Sequence, residues 1–318
     1  MDFSKLNWKK VFLTAGIPVI VLVILGLLPV YGSAYNLTLF TYFLLYIILS
    51  VSWTIFSGTT GYISLATAAF YGVGIYAAAL YGEKYPLIVV VLIGGLSSFV
   101  LAFLVGAITL RLKGIYFAMF TFGLVLLMKE VIYYWEITIE GTRGRFVVLE
   151  SNETIYFYLL GIFVITMIVA YLMKKSKYGL ALQSIGENEE AAAHIGINVT
   201  MVKILTYAVS AIFMGATGVI MATKLTYVDP GVAFNPLMSF SPVLMAIFGG
   251  FGSIYGPVIG AVIFTYIQEK LTTGVWNKYY MLIFGAILVA TILYLPSGLV
   301  GLIQRIWRRV SGGQRAHT

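Results

Sequence analysis

No cysteine occurs among the 318 residues, which excludes disulfide bonds and thiolate metal sites and leaves the redox compartment unmarked. Charge is scarce as well: 10% of residues are charged, against roughly a quarter in an ordinary soluble domain, so there is too little polar surface to cover a water-soluble globule. The histidines are His194 and His317 and the aspartates Asp2 and Asp229, too few and too scattered to build a catalytic triad or a metal cluster. No Gly-x-x-x-x-Gly-Lys-Ser/Thr phosphate loop is present. The net charge of +8 does not indicate nucleic acid, because the basic residues lie in short clusters between apolar runs, where they mark the cytoplasmic side of a membrane protein.

What remains is apolar. Hydrophobic residues make up 60% of the chain and the mean hydropathy is +0.97. Several uninterrupted runs reach the roughly 20 residues that cross about 30 Å of hydrocarbon. Runs such as Val11 to Val30 do not alternate apolar and polar, which excludes a transmembrane β-barrel and leaves helices as the unit. Lys5, Lys9 and Lys10 before the first run resemble the start of a signal peptide, but no convincing cleavage site follows, and the run reads as a retained first helix. The sequence therefore predicts an all-α, polytopic transmembrane bundle with spans at about 11–30, 37–56, 62–82, 86–110, 114–135, 154–173, 203–222, 237–250, 254–270 and 279–296. The pair at 237–270, joined by Gly249-Gly250-Phe251-Gly252-Ser253, is either two spans or a re-entrant hairpin; both return the chain to the same side.

With the N-terminus inside, Lys5, Lys9, Lys10, Arg111, Lys113, Lys174, Lys175, Lys177, Lys203, Arg305, Arg308, Arg309 and Arg315 are on the inner side, and only Lys84, Arg143, Arg145, Lys224, Lys270 and Lys278 fall outside. This asymmetry predicts both termini inside and an even number of spans, in keeping with the ten apolar runs. The segment 136–153, with Glu136, Glu140, Glu150 and Glu153, is then an external loop whose carboxylates meet water. Small-residue runs such as Gly72-Val73-Gly74-Ile75-Tyr76-Ala77-Ala78-Ala79 predict close helix contacts.

The longest inner segment, about 174–202, reads as one short helix bounded by glycines. Asn188 or Ser184 caps its start, Glu187, Glu189 and Glu190 lie near its positive end, and Gly196 ends it in a left-handed conformation. A helix of two or three turns is marginal alone in water, so it docks on a partner. Glu190-Ala191-Ala192, followed four residues later by Gly196, resembles the EAA loop of ABC importer permeases, which inserts into a groove on the ATPase subunit.

The wider order of motifs resembles the permeases of branched-chain amino acid importers, of the M-like subunit type. The matching blocks are Ser57-Gly58-Thr59-Thr60-Gly61-Tyr62-Ile63-Ser64-Leu65, Leu112-Lys113-Gly114-Ile115-Tyr116-Phe117-Ala118, Glu187-Asn188-Glu189 with Gly196-Ile197-Asn198-Val199 and Lys203, and Phe248-Gly249-Gly250-Phe251-Gly252-Ser253-Ile254-Tyr255-Gly256-Pro257. The chain departs from that pattern at Ala66-Thr67 and in the loop Gly141-Thr142-Arg143-Gly144-Arg145-Phe146, which bears on the cargo more than on the architecture.

The resemblance implies a single transmembrane permease domain, 1–318, in the cell membrane and surrounded by lipid. It implies cytoplasmic ATPase subunits that hold ATP and Mg²⁺, a second permease subunit, and an extracytoplasmic substrate-binding protein. No catalytic residue, cofactor or nucleic-acid partner is expected of this chain itself. It assigns ATPase coupling to Glu187, Asn188, Glu189, Glu190, Ala191, Ala192, Gly196, Ile197 and Asn198. Pathway candidates are Gly58, Gly61, Ser64, Tyr116, Glu130, Gly249, Gly250 and Gly252, since irregular backbone at membrane depth is tolerated where it lines a cavity. For Gly58 and Gly61 close helix packing is the competing reading, and for Lys129-Glu130 it is a lysine reaching the outer interface while the glutamate faces the bundle. His194 faces solvent or a partner. Branched-chain amino acids are the first substrate class; urea or another small amide is the alternative cargo, and an ion-driven secondary transporter the alternative class. The shortage of histidine, aspartate and cysteine disfavours a membrane enzyme.

Overall fold

The computed structural model describes residues 17–273 and, beyond them, 282–283, 285–286, 289 and 298–302. The chain is helical almost throughout. The long helices are α1 (Ile17–Tyr31), α2 (Ala34–Trp53), α3 (Thr67–Tyr81), α4 (Leu87–Thr109), α5 (Ile115–Trp135) and α6 (Asn152–Lys175). Two short helices, α7 (Lys177–Glu187) and α8 (Glu189–His194), precede α9 (Val199–Ala222), and a single turn α10 (Pro230–Ala233) precedes α11 (Leu237–Gly249) and α12 (Tyr255–Thr273). Among the described residues the strands form a two-residue antiparallel ribbon pairing β1 (Arg145–Phe146) with β2 (Tyr227–Val228), in the register Arg145 to Val228 and Phe146 to Tyr227.

Among the described residues six helical segments are long and apolar enough to cross a membrane: Ala34–Gly58, Leu87–Thr109, Ile115–Glu140, Asn152–Lys175, Val199–Ala222 and Pro230–Gly249. The 23 residues of α4 rise about 35 Å, enough for the hydrocarbon core. The expected spans at 11–30 and 254–270 coincide with α1 and α12 where they are described. The one expected at 279–296 lies outside the described residues apart from a few isolated positions.

Helix starts follow the polar residues that the sequence places there. Ser33, Ser151, Ser176, Asn188, Asn198 and Asp229 each accept a hydrogen bond from an amide in the first turn that follows, satisfying donors that have no intrahelical partner. Lys174 and Lys175 close α6 at its negative end.

The centre of the bundle is α9 packed against α3 and α4, with α2 alongside. Glycine makes this possible. A β-carbon on Gly74 would overlap the Gly215 carbonyl oxygen, and one on Gly218 would overlap that of Tyr71, so backbone touches backbone as the small-residue run of α3 predicts. Ser98 Oγ donates to the Phe70 carbonyl (2.9 Å) across the same contact. A second close approach joins α11 to α12, where β-carbons on Gly249, Gly256 and Gly260 would each overlap a facing carbonyl oxygen. The described helices other than α7 and α8 share one apolar core.

Three expectations need correction. The span expected at 62–82 is helical only from Thr67, and 61–66 has no regular secondary structure. Segment 174–202 holds two short helices, not one, divided at Asn188. The helical path of α5 continues through a π-helical turn to Glu140, so Glu136 belongs to the bundle and is fully buried, whereas the sequence placed it in a solvated loop. The run Ile137, Ile139 after Trp135 prolongs the apolar helix that far.

Contacts between elements sort the connections to two ends. At one end the 250–254 turn meets α6, where Lys174 Nζ donates to the Gly252 carbonyl (3.1 Å), and Gly186 packs on the Thr59 carbonyl. Gly298 lies against Gly250 at the same end. At the other end the ribbon ties segment 145–150 to 223–228, with Val147 N donating to the Thr226 carbonyl and Glu150 N to that of Thr223 (both 3.2 Å).

Candidate functional site

The break between α2 and α3 lies at the centre of the arrangement. After a π-helical turn, Thr54–Gly58, Gly61 takes φ +75° in open space, a left-handed conformation that costs a β-carbon-bearing residue about 1–2 kcal/mol. The non-helical backbone that follows has lost its helical partners, and side chains from four elements replace them. Ser57 Oγ accepts from Ser64 N (3.3 Å), Thr121 Oγ1 from Leu65 N (3.0 Å) and Ser239 Oγ from Ala68 N (3.0 Å). Trp53 Nε1 donates to the Ser64 carbonyl (2.8 Å), and Ser64 Oγ shares a hydrogen bond with the Tyr207 hydroxyl (3.2 Å). Around it Phe56, Tyr62, Phe117 and Tyr207 form an aromatic cluster with ring centroids 4.9–6.4 Å apart; favourable pairs of this kind contribute on the order of 1 kcal/mol each beyond burial.

Below this break the segment 177–198 lies against the bundle. Asn188 divides it, accepting from Glu190 N and Ala191 N (3.0 Å each), and Gly196 turns the chain at φ +87°. Leu182, Ile185 and Ala192 are buried inward. Glu187, Asn188, Glu190, Ala191, Ala193, His194 and Gly196 are exposed, and Ile195 presents 72% of its surface. Ile197 N donates to the Ala192 carbonyl (3.1 Å), and Asn198 caps α9.

Glu189 behaves differently from its neighbours. Its Oε1 accepts from the Tyr62 hydroxyl (2.6 Å) and from Lys203 Nζ (2.9 Å), while Lys113 Nζ stands 3.9 Å from Oε2. Lys203 is buried, and its ammonium also donates to Tyr62 Oη (3.1 Å) and the Leu110 carbonyl (3.3 Å), so three acceptors take its three protons. Burial alone would raise the Glu189 carboxyl; the hydrogen bonds from Lys203 and Tyr62 and the fields of Lys203 and Lys113 outweigh it and hold the group below its ordinary 4.5. Sequence reasoning placed Lys203 among the cytoplasmic surface charges and missed Tyr62. The available signal was that Lys203 sits inside the first turns of a small-residue helix, where a lysine needs a partner.

The pathway candidates do not converge on one place. Gly58, Gly252 and the neighbouring Phe251 line a cavity of about 250 Å³ beside Lys174, which brings the two glycine-rich blocks together; a β-carbon on Gly58 would stand 3.4 Å from the Phe251 carbonyl. Gly249 serves the α11–α12 contact, and Gly250 turns the chain at φ +99°. Ser64 is buried at the helix break, and Tyr116 is 70% exposed on α5. Glu130 lies at the opposite end, lining a cavity of about 300 Å³ with Lys129, Tyr133, Arg143, Asp229 and Gly231.

Near that cavity the fully buried Glu136 accepts from the Tyr76 hydroxyl through Oε1 and from Gly144 N through Oε2 (both 2.9 Å), clasping the loop to α3. Arg145 pairs with Glu140.

Six helical segments long and apolar enough to cross a membrane, a break between α2 and α3 satisfied by side chains, and a polar segment latched to one end define a polytopic membrane protein. The chain belongs to the family described as branched-chain amino acid transport system, permease component, which it matches over residues 35–292. It is thus a multi-pass permease subunit of the cell membrane, in a family of ABC transporter permeases whose ATP hydrolysis resides in separate subunits. It is 27% identical over 338 aligned positions to the high-affinity branched-chain amino acid transport system permease protein LivM of Salmonella typhimurium, covering 96% of this chain and 78% of the relative. To LivM of Escherichia coli it is 26% identical, over 92% and 75%. To LivH of Salmonella typhimurium, a permease protein of the same-named system, it is 24% identical over 44% of each chain. No solved structure matches the chain with significance.

Proposed function

We propose that this chain forms one of two membrane subunits of an ATP-driven importer of branched-chain amino acids, spanning the membrane ten times with both termini in the cytoplasm. The carrying observation is the exposed face of α8. Ala192 and Glu189 hold the helix to the bundle while Glu190, Ala191, Ala193 and Ile195 point away from it, and an apolar Ile195 beside two small alanines fits a shallow groove on a partner. That partner is the cytoplasmic ATPase subunit, which holds ATP and Mg²⁺; residues 187–198 are the coupling segment.

The orientation rests on charge. Arg111, Lys113, Lys174, Lys175, Lys177 and Lys203 belong to the α8 side and Lys84, Arg143, Arg145 and Lys224 to the other, and the basic clusters of the sequence termini, Lys5, Lys9 and Lys10 with Arg305, Arg308, Arg309 and Arg315, supply the excess that favours the α8 side as the inner one. Gly298 beside Gly250 supports a C-terminus on the α8 side. That Salmonella typhimurium has both LivM and LivH under one system name, each similar to this chain, favours a paralogous second subunit. An extracytoplasmic binding protein delivers cargo to the end that carries Glu130 and Asp229. From there the cargo passes the interrupted span at Gly61 and Ser64 and the glycine-lined cavity at Gly58 and Gly252. Gly249, Gly250 and Tyr116 complete the candidate pathway.

The test is transport together with ATPase co-purification for Glu190→Lys and Gly196→Val. Charge reversal on the exposed face should reduce recovery of the complex. A β-branched residue at φ +87° strains the turn by about 1 kcal/mol or more and misdirects α8, while the membrane helices still insert. Normal uptake and normal complex recovery in both variants would reject the coupling assignment.

A further inference from the structure

The geometry around Glu189 points to a mechanical joint. We infer that Glu189, Tyr62 and Lys203 form a latch through which α8 drives the non-helical segment 61–66, so that Glu189 works inside the subunit and does not touch the ATPase. This rests on the proposed coupling role of α8 and names the route by which motion leaves it.

The three polar groups close a ring. The Tyr62 hydroxyl donates to Glu189 (2.6 Å), Lys203 donates to Glu189 (2.9 Å) and to Tyr62 Oη (3.1 Å), and the ammonium lies 4.4 Å from the centre of the Tyr62 ring. Their backbones belong to separate parts of the fold. Glu189 is the first residue of α8, held rigidly to it by the Asn188 cap. Lys203 belongs to α9 and is braced on the α4 end through the Leu110 carbonyl, and α9 and α4 pack together along the centre of the bundle. Tyr62 belongs to the segment that interrupts the span.

A fixed frame, a moving arm and a driven element therefore meet at one carboxylate. Gly61, at φ +75° with nothing within 4 Å of its would-be β-carbon, gives the driven segment freedom to rotate, and Ser64, two residues past Tyr62, carries that rotation to Trp53 and Tyr207. Contact between Gly186 and the Thr59 carbonyl steadies α7 against the end of the π-helical turn that precedes Gly61. Because Glu189 is mostly covered while Glu190 is exposed, adjacent acids in one motif serve two different surfaces.

The variants are Tyr62→Phe, which removes one hydroxyl and keeps the ring under Lys203, and Glu189→Gln, which keeps the shape and removes the charge. The chain is co-expressed with its ATPase and second permease subunit, and the purified complex is reconstituted with binding protein. Amino acid transported per ATP hydrolysed is then measured, together with complex yield. A charge-assisted hydrogen bond is the strong kind, so the expected result for both variants is wild-type complex yield, continued ATP hydrolysis and a transport-to-ATP ratio lowered about tenfold. An unchanged ratio in both would overturn the latch and leave a static brace. Loss of complex yield in both would overturn it too, by placing Glu189 on the ATPase contact. Failure of the unaltered chain to co-purify with the ATPase would instead reject the importer reading itself.

Discussion

Each end of the bundle carries a glutamate that accepts a tyrosine hydroxyl, and the two sites are built for different work. Glu136 is fully buried, receives Tyr76 and the backbone amide of Gly144, and forms no salt bridge among the described residues. Glu189 keeps about a fifth of its side chain in solvent and receives Tyr62 and the ammonium of Lys203. The first fastens a loop through a backbone group that has no rotamers and no alternative partner, in surroundings where a lost hydrogen bond cannot be replaced by water. The second joins flexible side chains within reach of water, where partners can shift and re-form. A clasp holds the end that carries the ribbon, and a joint links the end that carries α8.

The comparison breaks most visibly at Glu136. Glu136→Ala strands the Tyr76 hydroxyl and the Gly144 amide, each worth about 1–3 kcal/mol when buried without a partner. A loss of roughly 3 kcal/mol or more is expected, read as a lower unfolding temperature in detergent and poor folded yield. Glu136→Gln, which retains an acceptor, should lose less. If Glu136→Ala left stability intact and lowered only the transport-to-ATP ratio, the two ends would not differ in kind.

A smaller effect sharpens the end that carries α8. Gly61→Ala has room for its methyl group but must hold φ +75°, which costs about 1 kcal/mol. Folded yield should be close to wild type while uptake slows severalfold. Gly58→Val, whose added atoms meet Thr54 and the Phe251 carbonyl, should impair both. Equal losses of yield and uptake in Gly61→Ala would return that glycine to a packing role.

Much of this was legible in the sequence because lipid imposes period and length. Within the described residues the apolar runs mark helices at nearly every predicted span, and Asn188 and Gly196 cap and turn the segment 177–198 where their side-chain chemistry suits them. What escaped was long-range pairing. Nothing local to Tyr62 announces Glu189, 127 positions away, or to Tyr76 announces Glu136, 60 away. Glu136 falls just past the predicted end of the span at 135 and so reads as loop; here the helix continues past Trp135. The break at 61–66 escaped for a related reason. Ile63 and Leu65 continue the apolar pattern, while the groups that stabilise the non-helical backbone come from Ser57, Thr121 and Ser239.

The central claim is that the end bearing α8 is cytoplasmic and is covered by the ATPase. Because the chain has no cysteine, Ile195→Cys and Leu149→Cys place single thiols at exposed positions of opposite ends. Labelling each with a membrane-impermeant maleimide, in right-side-out and inside-out vesicles and with or without the ATPase subunit, tests the claim directly. The account predicts that Ile195→Cys reacts only from the cytoplasmic face and is shielded by the ATPase, while Leu149→Cys reacts only from outside and is unaffected by it. Reaction of Ile195→Cys from outside, or labelling that the ATPase does not change, would contradict it.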